Sequence, residues 1–181
     1  VAAGKTYRLK SRSTNAVGAS AYSLEAFIAF GPVPGAPGQP QRVSSTRTSL
    51  TISWTAPTTA AGDLPILGYV LNMDDGLTAH LAPVYVGNGL PGVRQYTVGG
   101  LTTGLPYLLS AQAIDQNGYS SHSPMASYYA CIAPPSIARP VYVSSDQSTK
   151  AITVQWERPA DNGGCAILGY RLYQTAGSSD Q

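Results

Sequence analysis

Leu50-Thr51-Ile52-Ser53-Trp54-Thr55-Ala56-Pro57 is the stretch that decides the fold. Apolar and polar side chains alternate over its first five residues, the period of a strand with one buried face. The pattern returns at Ile152-Thr153-Val154-Gln155-Trp156, where Pro159 follows the tryptophan as Pro57 follows Trp54. Working outward, Tyr69-Val70-Leu71-Asn72-Met73, Tyr96-Thr97-Val98 and the longer run from Tyr107 to Ala113 alternate as well. Turn formers separate them at Asp74-Asp75-Gly76, Gly87-Asn88-Gly89, Gly99-Gly100 and Asn117-Gly118. Helical period with capping residues is not found. About seven short strands in about 100 residues predict an all-β fold, an antiparallel β-sandwich. Its expected inner layer is Leu50, Ile52, Trp54, Tyr69, Leu71, Tyr96, Val98, Leu101, Leu109 and Ala111.

The two tryptophans belong to a longer repeat. Gly4-Lys5-Thr6-Tyr7-Arg8-Leu9 matches Gly104-Leu105-Pro106-Tyr107-Leu108-Leu109, and Gly18 and Ser20 match Gly118 and Ser120. Pro40 falls on Pro140 and Val43-Ser44-Ser45 on Val143-Ser144-Ser145, always 100 positions on. Ile66-Leu67-Gly68-Tyr69 matches Ile167-Leu168-Gly169-Tyr170 with a slip that a loop insertion explains. Solenoid repeats run about 20–50 residues, so a period this long means whole domains in series. The phase divides the chain into the last third of a unit (1–33), a complete unit (34–135) and the first half of another (136–181), as in a piece of a longer array. Gly31-Pro32-Val33-Pro34-Gly35-Ala36-Pro37-Gly38 and Ala133-Pro134-Pro135 read as linkers, stiffened where proline fixes φ.

Composition narrows the function. Only 11% of the residues are charged, against about 25% in an ordinary domain, while 43% are hydrophobic, which argues against disorder. A net charge of +2 gives no electrostatic case for nucleic acid or anionic lipid. No apolar run approaches the roughly 18 residues of a membrane-crossing helix, so no membrane contact by this segment is expected. No Asn-x-Ser/Thr sequon occurs.

Together these residues resemble the fibronectin type III family. The marks are a proline before the first strand, Trp54 with Pro57, and Ile66-x-Gly68-Tyr69 opening the third strand. Tyr96-x-Val98-x-x-Leu101, Gly104-x-x-Tyr107 and Ala113-x-Asp115-x-x-Gly118-x-Ser120 complete them. The resemblance implies tandem immunoglobulin-like sandwiches with a structural core at Tyr7, Trp54, Tyr69, Tyr96, Leu101, Tyr107, Trp156 and Tyr170. It also implies a tyrosine corner at Tyr107, whose hydroxyl bonds nearby backbone, and another at Tyr7. Thr103 stands where the family often has proline, and Ser11 and Ser13 replace larger core residues. The loop Asp115-Gln116-Asn117-Gly118-Tyr119 lacks the Arg-Gly-Asp with which some members bind receptors.

The implied role is structural: a semi-rigid spacer and adhesion or filament segment, with no enzyme activity and no cofactor. Its expected partners are neighbouring domains and other chains of a filament or surface assembly. The expected location is extracellular or cell-surface, with a ciliary or cytoskeletal scaffold and accessory domains of a secreted enzyme as alternatives.

Cys131 closes the last strand of the complete unit, and Cys165 lies in the B–C loop of the next. In such an array those two poles face each other. The sulfurs then either form an interdomain disulfide or stay as two free thiols; the equivalent pair one unit earlier is Gly31 and Leu64. Elsewhere the chemistry is sparse. Asp74-Asp75-Gly76 reads as a turn after a strand, since a calcium loop needs alternating oxygen ligands and a distal Glu. His80 and His122 have no partners at metal-ligand spacing, and Ser123 beside His122 lacks a nucleophile elbow. One of Tyr128 and Tyr129 is expected to face the core.

Overall fold

The alternation at residues 50–54 forms a strand with Leu50 and Ile52 fully buried and the intervening residues half-buried. The computed structural model describes residues 1–175, so the end of the 136–181 segment lies outside it. In chain order the strands are β1 (Lys5–Leu9), β2 (Ala26–Phe30), β3 (Gln41–Ser45), β4 (Ser49–Ser53), β5 (Gly68–Met73) and β6 (Ala82–Val86). They continue as β7 (Gln95–Gly99), β8 (Pro106–Asp115), β9 (Gly118–Tyr119), β10 (Ala126–Tyr129), β11 (Val141–Asp146) and β12 (Ala151–Gln155). Every regular element among the described residues is a strand, and all pairings are antiparallel.

Residues 40–130 make the sandwich. One sheet has the order β3-β4-β7; the other runs β10-β8-β5-β6, with β9 on the end of β8. Between them, Trp54 sits edge-on to Tyr69 at 6.0 Å and tilted against Tyr85 at 6.0 Å, and Tyr85 stacks on Tyr96 at 4.8 Å. Nine of the ten expected inner-layer residues are buried; Tyr96, on the edge strand β7, is half-buried and packs against the core. Tyr107 accepts a hydrogen bond from the Thr102 N–H at 2.8 Å through its hydroxyl, pinning the crossover into β8. Tyr128 is the core-facing member of its pair and donates to the Pro40 carbonyl, while Tyr129 is half exposed.

The repeat is visible in hydrogen-bond register. β1 pairs with β2 so that Tyr7 faces Ile28 and Leu9 faces Ala26; β8 pairs with β10 so that Tyr107 faces Tyr128 and Leu109 faces Ala126. Both ribbons are fastened alike at their far ends. Ser20 and Ser23 accept through Oγ from the N–H of Ser13 and Ser11, as Ser120 and Ser123 accept from Ala113 and Ala111. Tyr7 Oη bonds the Ala2 backbone as Tyr107 Oη bonds Thr102. The β3–β4 and β11–β12 pairs share a bulge at the same place, Val43 and Val143. Trp156 meets Tyr170 at 5.9 Å and 61°, close to the 6.0 Å and 62° of Trp54 and Tyr69.

Three expected core positions are corrected. Tyr7 and Trp156 are half-buried and Tyr170 is 44% exposed: among the described residues no second sheet lies over the β1–β2 ribbon that carries Tyr7, or over the segment after β12 that carries Trp156 and Tyr170. The third strand expected after Ile167 is also missing: β5, its equivalent, is paired on both edges by β6 and β8, and residues 165–175 have no such neighbours. Asp74-Asp75-Gly76 opens an eight-residue connection (74–81) in place of a tight turn. Asp75 Oδ1 accepts from the Leu77 and Thr78 N–H groups, and Asp74 Oδ1 accepts from Gly76 and from Leu108 on β8. The Thr78 and Leu77 amides hold the Asp75 carboxyl below the usual carboxylate range.

Candidate functional site at the inter-unit joints

The chemistry of this chain gathers where each ribbon meets the sandwich. At the first joint, Gly31 follows β2 and lies against the loop between β4 and β5. Gly31 is not in the left-handed region; it is glycine for space, since a Cβ there would stand 2.9 Å from the Gly62 carbonyl oxygen and 3.0 Å from Leu64 Cγ. Leu64 is buried in the gap this leaves. From the sandwich, Asn117 donates its side-chain N–H to the Gly31 carbonyl at 2.5 Å, while Thr6 Oγ1 donates to Gln116 Oε1 at 2.5 Å.

The second joint is covalent. Cys131 and Cys165 are disulfide-bonded with Cα atoms 5.8 Å apart, 34 positions apart in sequence, and no described cysteine is free. Two hydrogen bonds to backbone carbonyls bracket the bridge: Ile132 N–H donates to the Gly163 carbonyl at 2.9 Å, and Ser45 Oγ donates to the Cys131 carbonyl at 2.7 Å. An ion pair joins Arg47, in the β3–β4 turn, to Asp161 in the β12-side loop. Thr103 Oγ1 donates to the Arg47 carbonyl at 2.7 Å and braces that turn. The Asp161 carboxyl is held below the usual range first by the Gly163 N–H and then by the Arg47 guanidinium, with desolvation opposing them. Neither Arg47 nor Asp161 stood out in the sequence, because a turn residue and a loop residue 114 positions apart carry no spacing signal.

The remaining candidates stay apart. His80 is exposed, and His122 Nδ1 shares a 2.6 Å hydrogen bond with the buried Ser110 hydroxyl. Ser123 Oγ is occupied by Ala111 N–H and by the Pro124 carbonyl. Among the described residues no three His, Cys, Asp or Glu side chains cluster as metal ligands. The sandwich is thus held by packing against Gly31 at one joint and by a covalent bond at the other.

An antiparallel sandwich with a buried tryptophan on its second strand and a tyrosine corner defines the immunoglobulin-like class of modules. The sequence pattern of the fibronectin type III domain matches residues 35–127, and the chain belongs to that family. Over 180 residues, or 98% of its length, the chain is 29% identical to chicken (Gallus gallus) fibronectin type-III domain-containing protein 3a and 28% identical to the human (Homo sapiens) protein. It spans about 14% of each of these curated relatives. It is also 30% identical over 144 residues, 79% of the chain, to chicken receptor-type tyrosine-protein phosphatase S, of which that is 9%. Among solved structures, the FN1–FN3 domains of chicken CNTN1 superpose with a TM-score of 0.51 at 19% identity, covering 71% of this chain and 44% of theirs. Domains A168–A170 of titin give 0.50 at 19% identity, covering 64% and 38%. At these identities the solved structures speak for the fold.

Proposed function

We propose that this chain is a non-catalytic spacer and interaction segment within a tandem array of fibronectin type III units. On this reading residues 1–33 end one unit, 34–135 make the next and 136–181 begin a third. The observation that carries it is the repeated register: ribbons 100 residues apart pair alike, down to the bulges at Val43 and Val143. Alignment with much larger relatives over 98% of the chain supports it too. Stiff joints turn such units into a rod, because covalent and packed contacts remove the rotations that a free linker allows. The disulfide supports an extracellular or cell-surface location, since such bonds persist in oxidising compartments. Adhesion or filament assembly is the role such a rod serves there.

Small-angle scattering tests the rod. Fragments of two, three and four units from the parent protein should grow in radius of gyration in near proportion to unit number, whereas growth with an exponent of about 0.38 marks a compact globule and refutes it. Labelling intact cells with a membrane-impermeant reagent tests location; signal only after permeabilisation places the protein inside. The likeness to a receptor-type phosphatase favours one second reading, in which the array flanks a catalytic module elsewhere in the parent.

A further inference from the structure

We propose that the two joints are one docking surface in two chemical versions, and that the disulfide locks an orientation the joint already takes without it. The proposal rests on the array reading above. Its partner is defined by chemistry: the loop after β4, or its equivalent after β12, receives the turn and linker of the preceding unit.

The backbone contacts are shared. Gly4 and Gly104, both left-handed at φ 76° and 83°, close the turns that lead into β1 and β8. A Cβ on either would stand 3.0 Å from the Asp63 carbonyl oxygen or 2.7 Å from that of Gly164, equivalent loop residues. Both joints thus bring a bare turn onto a backbone carbonyl of the following loop, at a distance that excludes a Cβ at Gly104 and at which a Cβ at Gly4 would push the carbonyl back by a few tenths of an ångström.

The side chains are exchanged as a pair. At the first joint a glycine faces a leucine; at the second two cysteines of intermediate size face each other. In a disulfide the Cβ of one residue lies about 3 Å from the Sγ of the other, a distance fixed by the S–S length and the angle at sulfur. At the first joint the Cβ position of Gly31 lies 3.0 Å from Leu64 Cγ, the atom that Sγ would replace. The first joint therefore already has the Cβ-to-Sγ distance of a bridge, with Leu64 filling the space. One neighbour must give: the Gly62 carbonyl oxygen, 2.9 Å from that Cβ position, has to move by a few tenths of an ångström. One backbone–backbone bond differs, since Pro32 has no N–H to match the one that Ile132 gives to Gly163.

The test uses the full chain in a glutathione buffer. Each bridge forms when two thiols give two electrons and two protons to one oxidised glutathione, released as two reduced ones. In Gly31→Cys/Leu64→Cys, peptide mapping should find a second bridge between the substituted positions beside Cys131–Cys165, with no free thiol. In the converse variant, Cys131→Gly/Cys165→Leu, residual dipolar couplings should hold β11–β12 at the parent angle to the sandwich. Free thiols at positions 31 and 64 while Cys131–Cys165 is closed, or a changed angle in the converse variant, overturn the shared joint and leave the array reading standing. Loss of the β1–β2 register in the parent chain overturns both.

Discussion

Trp54→Ala sets the core's energetics against a control inside the same chain, Trp156→Ala. The Trp54 indole is buried, with aromatic neighbours on two sides, Tyr69 and Tyr85, each at 6.0 Å. Burying an indole removes about 200 Å² from water, worth about 5 kcal/mol at about 25 cal/mol per Å². Burial retained in the unfolded chain trims that figure, and the vacated cavity adds to it, so the expected loss is about 3–5 kcal/mol. That is a large share of the roughly 5–15 kcal/mol of a domain this size. Trp156 occupies the like place in the repeat but is half-buried, with Tyr170 its one stacked partner among the described residues. Its removal should cost the sandwich less than about 1 kcal/mol. Urea unfolding followed by far-UV circular dichroism reads both variants on one scale. With a slope of about 2 kcal/mol per molar, Trp54→Ala should lower the midpoint by about 2 M and Trp156→Ala by less than about 0.5 M. Equal shifts in the two variants would refute the assignment of the core to residues 40–130.

Other expectations follow from single contacts. Tyr107→Phe removes the acceptor of the Thr102 N–H and should cost about 1–2 kcal/mol in the same assay, with the fold unchanged. Ser123→Ala leaves the buried Ala111 N–H unpaired and should cost about 1–3 kcal/mol; Ser23→Ala, at the exposed equivalent, should cost little because water takes over. The depressed Asp161 carboxyl stabilises the folded joint above its unfolded pKa, near 3.9, and loses that contribution as pH falls through its lower folded value. Arg47 side-chain resonances should therefore shift in acid below about pH 4, and Asp161→Asn should abolish the shift. Asp146, which accepts hydrogen bonds from Ser148 and Thr149, should titrate at about 2 by carboxyl NMR; an ordinary midpoint would mean that the β11–β12 turn is open.

The parts of the fold that sequence made legible were those with a local period. The alternation at 50–54 assigns Leu50, Ile52 and Trp54 to one face without reference to anything distant, and the structure buries all three. The tyrosine corner at Tyr107 came from the resemblance to the family, and the structure supplies its partner, the Thr102 N–H. Burial that depends on what lies opposite was not readable. Trp156 and Tyr170 keep the mutual geometry of Trp54 and Tyr69 but not their burial, since a ribbon supplies one face of a sandwich and not its lid. The site was half legible. Both cysteines were set at facing poles by the repeat phase, whereas Leu64 as the filler of Gly31's gap and Arg47 as the partner of Asp161 emerge only once loops from different segments meet.

The most direct measurement is cross-strand NOE mapping by NMR on the 181-residue chain. The account requires Leu9 opposite Ala26 and Leu109 opposite Ala126, with Arg42 opposite Ile52 and Tyr142 opposite Val154 across the two bulges. Finding those four pairings establishes one structural frame stepped along the chain. A slip of one residue in either ribbon, or ribbons without cross-strand NOEs, would contradict it.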